Sequence, residues 1–407
     1  MSSAERRLAD NTVQGGESAV PAHACTIGSL PEMTKLITSH DIAKAAGVSR
    51  TTVSYVLSNR IGVSVSGKTR KRVLATARRL GYVPNSAAAM LVTGRSKSIG
   101  LVLSRPELLG VDGFVPIMVH GLNEVCGARG YRVLMEAVAD PPRVDDYLDL
   151  AKSKRVDSMI ILNPRKGDPA LRKVIETSFP VLVAGSAEQP EESAIGTQDC
   201  QASRKATEHL LSLGHKRVAH ISYASLNYHG ALLRLEGYRQ ALQAEKIRFD
   251  PGLFAEGDFT AQSGYDAMRR ILAVDPRPTA LFAGNDTIAL GAMLALREAK
   301  LSVPEDFAVV GYDDLPIASY TCPPLTSIST HPFEQGKLLA EAAIALMNNE
   351  KVGSQQNVLP LELVIRSSCG ASTRGKALLP AGPKKRRSDS KLRKVQRPKR
   401  RDSAVEF

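Results

Sequence analysis

Arg50, Thr51, Ser54 and Tyr55 fall on one side of a short amphipathic stretch, with Val53, Val56 and Leu57 on the other at helical spacing. An arginine beside hydroxyls on an exposed helix face suits the DNA major groove. A guanidinium can hold guanine O6 and N7, and hydroxyls can meet phosphates or base edges. The plain alternative is a three-helix unit with a solvated polar face. A second pattern points to other chemistry: Gly62 to Thr69, GVSVSGKT, fits the phosphate-cradling G-x-x-x-x-G-K-[ST] loop. That loop needs a buried strand before it, whereas Leu57-Ser58-Asn59-Arg60 closes a helical pattern. We read it as a connection in which Ser66 caps the following helix, with a P-loop ATPase as a rival reading. The eight histidines form no H-E-x-x-H pair, and no G-x-S-x-G nucleophile elbow occurs. The five cysteines, Cys25, Cys126, Cys200, Cys322 and Cys369, include no C-x-x-C pair. Neither an enzyme, a metal site, a disulfide framework nor a cofactor is expected.

The elements that must position the arginine face are three short helices. Thr38 caps the first, Ser39 to Ala46, with Asp41 three residues on as in a capping box. Gly47 supplies the left-handed residue of a tight inter-helix turn, and Val48 plugs the angle. Ser49 caps the second helix, Arg50 to Leu57, and a third buries Val73, Ala77 and Leu80. From Ser98 the pattern changes. Apolar runs at Ile99–Leu103, Tyr131–Met135, Met159–Leu162, Val181–Val183, Val218–Ile221, Ala280–Ala283 and Phe307–Val310 alternate with amphipathic helices. That is the signature of parallel α/β units, and about 270 residues of it predict two lobes.

Charge separates these parts. The chain has 407 residues and a net charge of +13. Residues 35–84 hold ten Lys or Arg against one acid, Asp41, and residues 371–407 hold thirteen against three acids. The rest is net acidic. Two basic ends on an acidic body imply a polyanionic partner, with nucleic acid first among candidates. No apolar run approaches the ~20 residues of a membrane helix, and the polar N-terminus lacks a secretory apolar region. An intracellular location is the expectation. Residues 1–34 and 371–407 read as disordered; the tail's Lys384–Arg387 and Arg397–Arg401 clusters could add nonspecific DNA affinity.

Several motifs then occur in one order. His40-Asp41-Ile42-Ala43-Lys44-Ala45-Ala46-Gly47-Val48-Ser49 through Leu57 is followed by Leu80-Gly81-Tyr82-Val83-Pro84-Asn85. Arg234-Leu235-Glu236-Gly237-Tyr238, Phe282-Ala283-Gly284-Asn285-Asp286 and Val310-Gly311-Tyr312-Asp313-Asp314 come later. In these the chain resembles the lactose repressor/galactose repressor family of bacterial transcription regulators, over roughly Thr38 to Ser368. The resemblance implies an all-α helix-turn-helix DNA-binding domain followed by a two-lobed α/β periplasmic-binding-protein-like (type I) sensor domain. It places Arg50 and Thr51 at base edges with Ser54 and Tyr55 beside them. Thr38, Ser49, Thr52 and Asn59 would hold phosphates. Many members carry Arg where this chain has Tyr55, so the outer operator bases should differ. Residues 85–97 resemble the hinge helix, with Leu91 as the wedge that enters a base step from the minor groove.

In the sensor, the resemblance assigns Arg234, Asn285 and Asp313 to effector binding. Phe114 and Tyr223, and more loosely Val183 and Tyr228, are placed by approximate alignment. An arginine, an amide and a carboxylate at a strand's carboxyl end suit a polyhydroxylated ligand. The alternative is an ordinary Arg234–Asp313 salt bridge between lobes. Asp199-Cys200, where many members have Asp-Asn, is a further departure. The expected domains are 35–84, 85–97 and 98–370, with lobe 1 about 98–183 and 330–359 and lobe 2 about 184–329 and 360–370. The expected function is a cytoplasmic, nucleoid-associated homodimeric regulator, more often a repressor, bound to a near-palindromic double-stranded operator and controlled by a sugar-like effector. A sugar-binding receptor with no DNA role is the rival.

Overall fold

The computed structural model describes residues 37–57, 64–83, 90–91, 93–185, 188–189, 192–350, 352 and 359–371. Both terminal extensions, residues 85–89 of the hinge and Asn59 lie outside them. Two compact units divide at Asn85–Ser86.

The first unit is three helices: α1 Ser39–Ala46, α2 Arg50–Leu57 and α3 Gly67–Arg79. The caps are those the sequence dictates. Thr38 Oγ1 accepts from the Asp41 N–H, and the Thr38 N–H donates to Asp41 Oδ2 at 2.8 Å. Gly47 ends α1 at φ 60°, a conformation that strains any residue with a Cβ. Ser49 Oγ accepts from Thr52 N–H at 3.1 Å and opens α2. Ile42, Ala43, Ala46, Val53, Val56, Val73 and Ala77 form the core, with Val48, Leu57 and Leu80 packed at its edge.

The second unit holds two sheets. The first runs β2-β1-β3-β4-β5, all parallel, from β1 Ser98–Leu103, β2 Arg132–Ala137, β3 Ser158–Leu162, β4 Val181–Ala184 and β5 Ala194–Ile195. Helices α4 Phe114–Ala128, α5 Asp146–Lys152 and α6 Pro169–Ile175 connect them. The second runs β11-β10-β9-β8-β6-β7, from β6 Val218–Ser222, β7 Phe254–Glu256, β8 Ala280–Ala283, β9 Ala308–Asp313, β10 Thr326–Ser329 and β11 Glu362–Val364. Only β11 is antiparallel. Its helices are α7 Asp199–Ser212, α8 His229–Ala244, α9 Ala261–Leu272 and α10 Asp286–Glu298.

Helix α11, Pro332–Met347, returns the chain to the first lobe, where Leu339, Ala340 and Ala343 share a core with Met118 and Leu122 of α4. The two helices cross so closely that a Cβ on Gly121 would strike the Phe333 carbonyl, and one on Gly336 the Met118 carbonyl. One boundary moves. Because β5 pairs with β4, the chain leaves the first lobe after Ile195, not at 184. The single turn of strand between them is too short to show as an apolar run.

His220 sits at the centre of the second lobe, fully buried, stacked on Phe282 at 4.8 Å and on Tyr238 at 5.2 Å. One ring nitrogen meets the Phe282 carbonyl at 2.9 Å, and the other has no partner among the described residues. Burial pushes its pKa down to about 4. A depressed base favours the unfolded state as protons are added. Stability from this residue is therefore full above about pH 6.5 and is lost as pH falls toward 4. Melting temperatures across that window should drop in the native chain, and His220→Gln should flatten the slope. Identical slopes would remove His220 from the account.

Candidate DNA-reading helix and effector cleft

The buried face of α2 fixes which side chains face outward. Arg50, Thr51 and Ser54 are exposed and Tyr55 is half-buried. The helix start is stiffened by its own cap, since the Ser49 and Thr52 hydroxyls are hydrogen-bonded to each other at 2.8 Å. Thr38, exposed, is held by Asp41 in the same way, with 2.7 Å between its hydroxyl and Oδ2. Each hydroxyl is thus oriented before any ligand arrives. Lys68, Lys71, Arg72, Arg78 and Arg79 are exposed on α3. The phosphate-loop pattern is put to another use. Ser66 caps α3, accepting from Thr69 N–H at 3.2 Å and pairing with the Thr69 hydroxyl at 2.9 Å. The hydroxyl that a P-loop presents to Mg²⁺ is spent on a helix start, and α2, a helix, is the element before it. Gly62 and Val63 lie outside the described residues. Leu91 is 86% exposed.

In the second unit a cleft opens between the lobes at the carboxyl ends of strands from both sheets, where open α/β folds place ligands. Leu103 to Arg105 follow β1, Asn163 follows β3, Gly185 follows β4, Tyr223 follows β6, Asn285 follows β8 and Asp313 ends β9; all line it. Five expected residues, Arg234, Asn285, Asp313, Phe114 and Tyr223, line it together, and the more loosely placed Tyr228 joins them. Val183 does not. It is buried within β4 in the first-lobe core, and the backbone reaches the cleft one residue later at Ala184.

Arg234, on α8, is the hub. Its Nε donates to Asp199 Oδ1 at 2.9 Å and one terminal nitrogen donates to the Gly284 carbonyl. Its guanidinium lies over Tyr312 at 3.6 Å and Tyr223 at 4.3 Å. Burial works against the charge, but Asp199, Tyr312, Asp313 and Tyr223 outweigh it and hold the pKa above the ordinary arginine value. The alternative reading, an Arg234–Asp313 salt bridge, is not what forms; Arg234 pairs with Asp199. Asp199 begins α7 and also accepts from the Tyr312 hydroxyl at 2.8 Å.

Asp313 forms no salt bridge among the described residues. It is buried, its backbone is at φ 105°, and its Oδ1 has no hydrogen-bond partner among the described residues. Such strain persists where surrounding structure imposes it, and it clusters at ligand sites. Burial drives its pKa well above the carboxylate range; Arg234 opposes this and Asp112, Asp286 and Asp199 add to it. Asn285 caps α10 through Oδ1, accepting from Ile288 N–H at 2.7 Å, while its Nδ2 reaches across the cleft to Asp112 Oδ2 at 3.3 Å.

Other contacts join the lobes. Asn163 Nδ2 donates to the Tyr223 hydroxyl at 3.2 Å, the Lys166 N–H to the Asn227 carbonyl at 2.7 Å, and the Tyr228 hydroxyl to Asp140 Oδ2 at 2.9 Å. Arg165 also pairs with Asp140. Phe259 meets both Tyr223 and Tyr228 edge-on at 5.2 and 5.5 Å. Of the residues the sequence reading missed, Asn163 was within reach as the first polar residue after an apolar run. Asp112, Asp140 and Phe259 follow no such run.

Comparison with known proteins accords with this arrangement. Residues 38–85 match the model of bacterial regulatory proteins, lacI family, and residues 207–369 match a periplasmic binding protein-like domain. The chain is 32% identical over 339 residues to the HTH-type transcriptional repressor PurR of Haemophilus influenzae (strain PittEE), covering 82% of this chain and 98% of the relative. The chain belongs to the lacI family. It is a DNA-binding transcription regulator, and its relatives are named as regulators, not enzymes. Among solved structures, the lac repressor dimer bound to operator and the anti-inducer ONPF is 31% identical, with a TM-score of 0.72 over 82% of this chain and 99% of that one. The complex of the regulator CelR with cellobiose is also 31% identical, with a TM-score of 0.62 over 82% and 99%. Among the described residues no helix is long and apolar enough to cross a membrane.

The Arg234–Asp199 pair gives a direct stability test. Both side chains are almost fully buried, 11% and 6% exposed. Arg234→Met leaves buried Asp199 without its cation, close to buried Asp313. Loss of one member of a buried pair costs about 3–5 kcal/mol. Urea unfolding should show a loss of that order, and a loss below about 1 kcal/mol, the range of exposed pairs, would contradict the geometry.

Proposed function

We propose that this regulator is a cytoplasmic homodimeric repressor whose grip on a near-palindromic double-stranded operator is set by a sugar or sugar derivative in the cleft. Each subunit lays α2 in the major groove. Arg50 and Thr51 meet base edges, with Ser54 and Tyr55 beside them. Thr38, Ser49, Thr52 and Asn59 hold phosphates and fix the register. Leu91 enters a base step from the minor groove, and its exposure favours that role. The working division is 35–84 for reading, 85–97 for the hinge and the remainder to about 370 for sensing.

In the cleft, Arg234, Asn285 and Asp313 orient the effector, with Tyr223 and Phe114 as ring surfaces. Effector contacts that exist only when the lobes are closed shift the population toward closure, and closure changes the hinge. The likeness to a CelR–cellobiose complex supports a carbohydrate effector.

The single observation carrying the DNA half is the row Arg50, Thr51, Ser54 left exposed by the buried Val53–Val56 face. Gel shifts on the promoter upstream of its own gene, run at several salt concentrations, test it. Arg50→Ala should weaken specific binding by about 1–3 kcal/mol and relax preference at one operator position. Equal binding by both proteins, without sequence preference, would refute operator reading by α2.

A further inference from the structure

The charge ledger of the cleft does not close. Five charged side chains line it among the described residues: Arg105, Asp112, Asp199, Arg234 and Asp313. Both arginines are already neutralised, Arg105 by Glu107 and Arg234 by Asp199. Asp112 and Asp313 remain, one from each lobe, and neither forms a salt bridge among the described residues. Asp112 is 7% exposed. Its Oδ1 accepts from Phe114 N–H at 2.9 Å and its Oδ2 from the neutral amide of Asn285, with Arg234 acting on it from beyond salt-bridge distance. Asp313 is 4% exposed, with Oδ1 unpartnered. Asp112 is close enough to add to the raised pKa of Asp313, after burial as the main cause.

A buried carboxyl without a cation is driven toward its neutral form, and burial raises the pKa of both Asp112 and Asp313. A neutral polyol can hydrogen-bond to such a pair, but it brings no charge that would restore theirs. A phosphorylated or carboxylated ligand adds a third acid. An ammonium group answers the need: it carries a positive charge and three donors and accepts nothing.

We propose that the effector carries a protonated amine, as an amino sugar does, and that its ammonium group sits between Asp112 and Asp313. The proposal rests on the reading of this cleft as the effector site and narrows its ligand class. The remaining hydroxyls of such a ligand meet Asn285, Asn163 and Gln335. Asp112 selects for the amine, and Asp313 binds it.

The full-length protein is titrated by calorimetry and thermal shift at about pH 6.5, where an aliphatic amine near the usual α-amino range is protonated. The probes are glucosamine, galactosamine and mannosamine, each against its neutral parent, with glucose 6-phosphate as the anionic control. At least one amine should bind roughly tenfold or more tighter than its parent, the margin of a charge-assisted hydrogen bond. Asp112→Asn should erase that margin. Without ligand at that pH, Asp112→Asn and Asp313→Asn should each raise the melting temperature, because each removes a carboxyl that ionises more readily in the unfolded chain than in the cleft. The proposal is overturned if no amine binds, if the parents or the phosphate bind as well or better, or if both variants leave the ligand-free melting temperature unchanged or lower it. An amine that binds but leaves operator affinity unchanged would instead refute coupling between cleft and DNA, with this proposal intact.

Discussion

The sensing lobe is organised around one buried guanidinium. Arg234 ties α8 to the first residue of α7 through Asp199, to the β8 end through the Gly284 carbonyl, and to the β9 strand through the ring of Tyr312. A charge at that depth is tolerable only with a full set of partners. Those partners fix four separate elements at the mouth of the second sheet. Asp199 is shared with Tyr312, so the network has little freedom to shift one member alone. Consuming Arg234's charge in this way leaves Asp313 exposed to the cleft with an unmet acceptor. The polar character of the site thus follows from how the lobe is braced.

The same economy of side chains appears across the cleft. The first lobe contributes Asn163, Asp112 and Asp140, each answered by a group of the second lobe: Tyr223, Asn285 and Tyr228. One of these links is neutral and two have a carboxylate acceptor. They are the kind of contact a ligand can tip, because each is worth only about 0.5–3 kcal/mol net. In the DNA-reading unit the logic is reversed. There the core and caps immobilise short helices in advance, so that little ordering of them remains when the unit meets DNA. Preorganisation of this kind lowers the entropic cost of binding.

Much of this was legible in the residues. The capping box at Thr38–Asp41, the turn at Gly47 and the cap at Ser49 are local chemistry, and the helices start and stop where they dictate. Strand positions were legible for the same reason, as parallel strands buried on both faces read as unbroken apolar runs. What was not legible depends on contacts remote in sequence. The pairing of Arg234 with Asp199 rather than Asp313 joins residues 35 apart, and the amide of Asn285 meets Asp112 across 173. The misplaced lobe boundary has the same origin, since two-residue β5 exists only through its pairing with β4. Val183 was assigned to the cleft on alignment, but strand alternation turns it into the core.

The account's central claim is that cleft and operator are two ends of one equilibrium. Linkage then requires reciprocity: whatever factor the effector changes operator affinity by, the operator must change effector affinity by the same factor. Calorimetric titration of the effector into the protein alone and into its operator complex measures this directly. The account predicts two dissociation constants that differ by the factor seen in operator binding, typically about 5–150-fold. Equal constants, with or without operator, would contradict it.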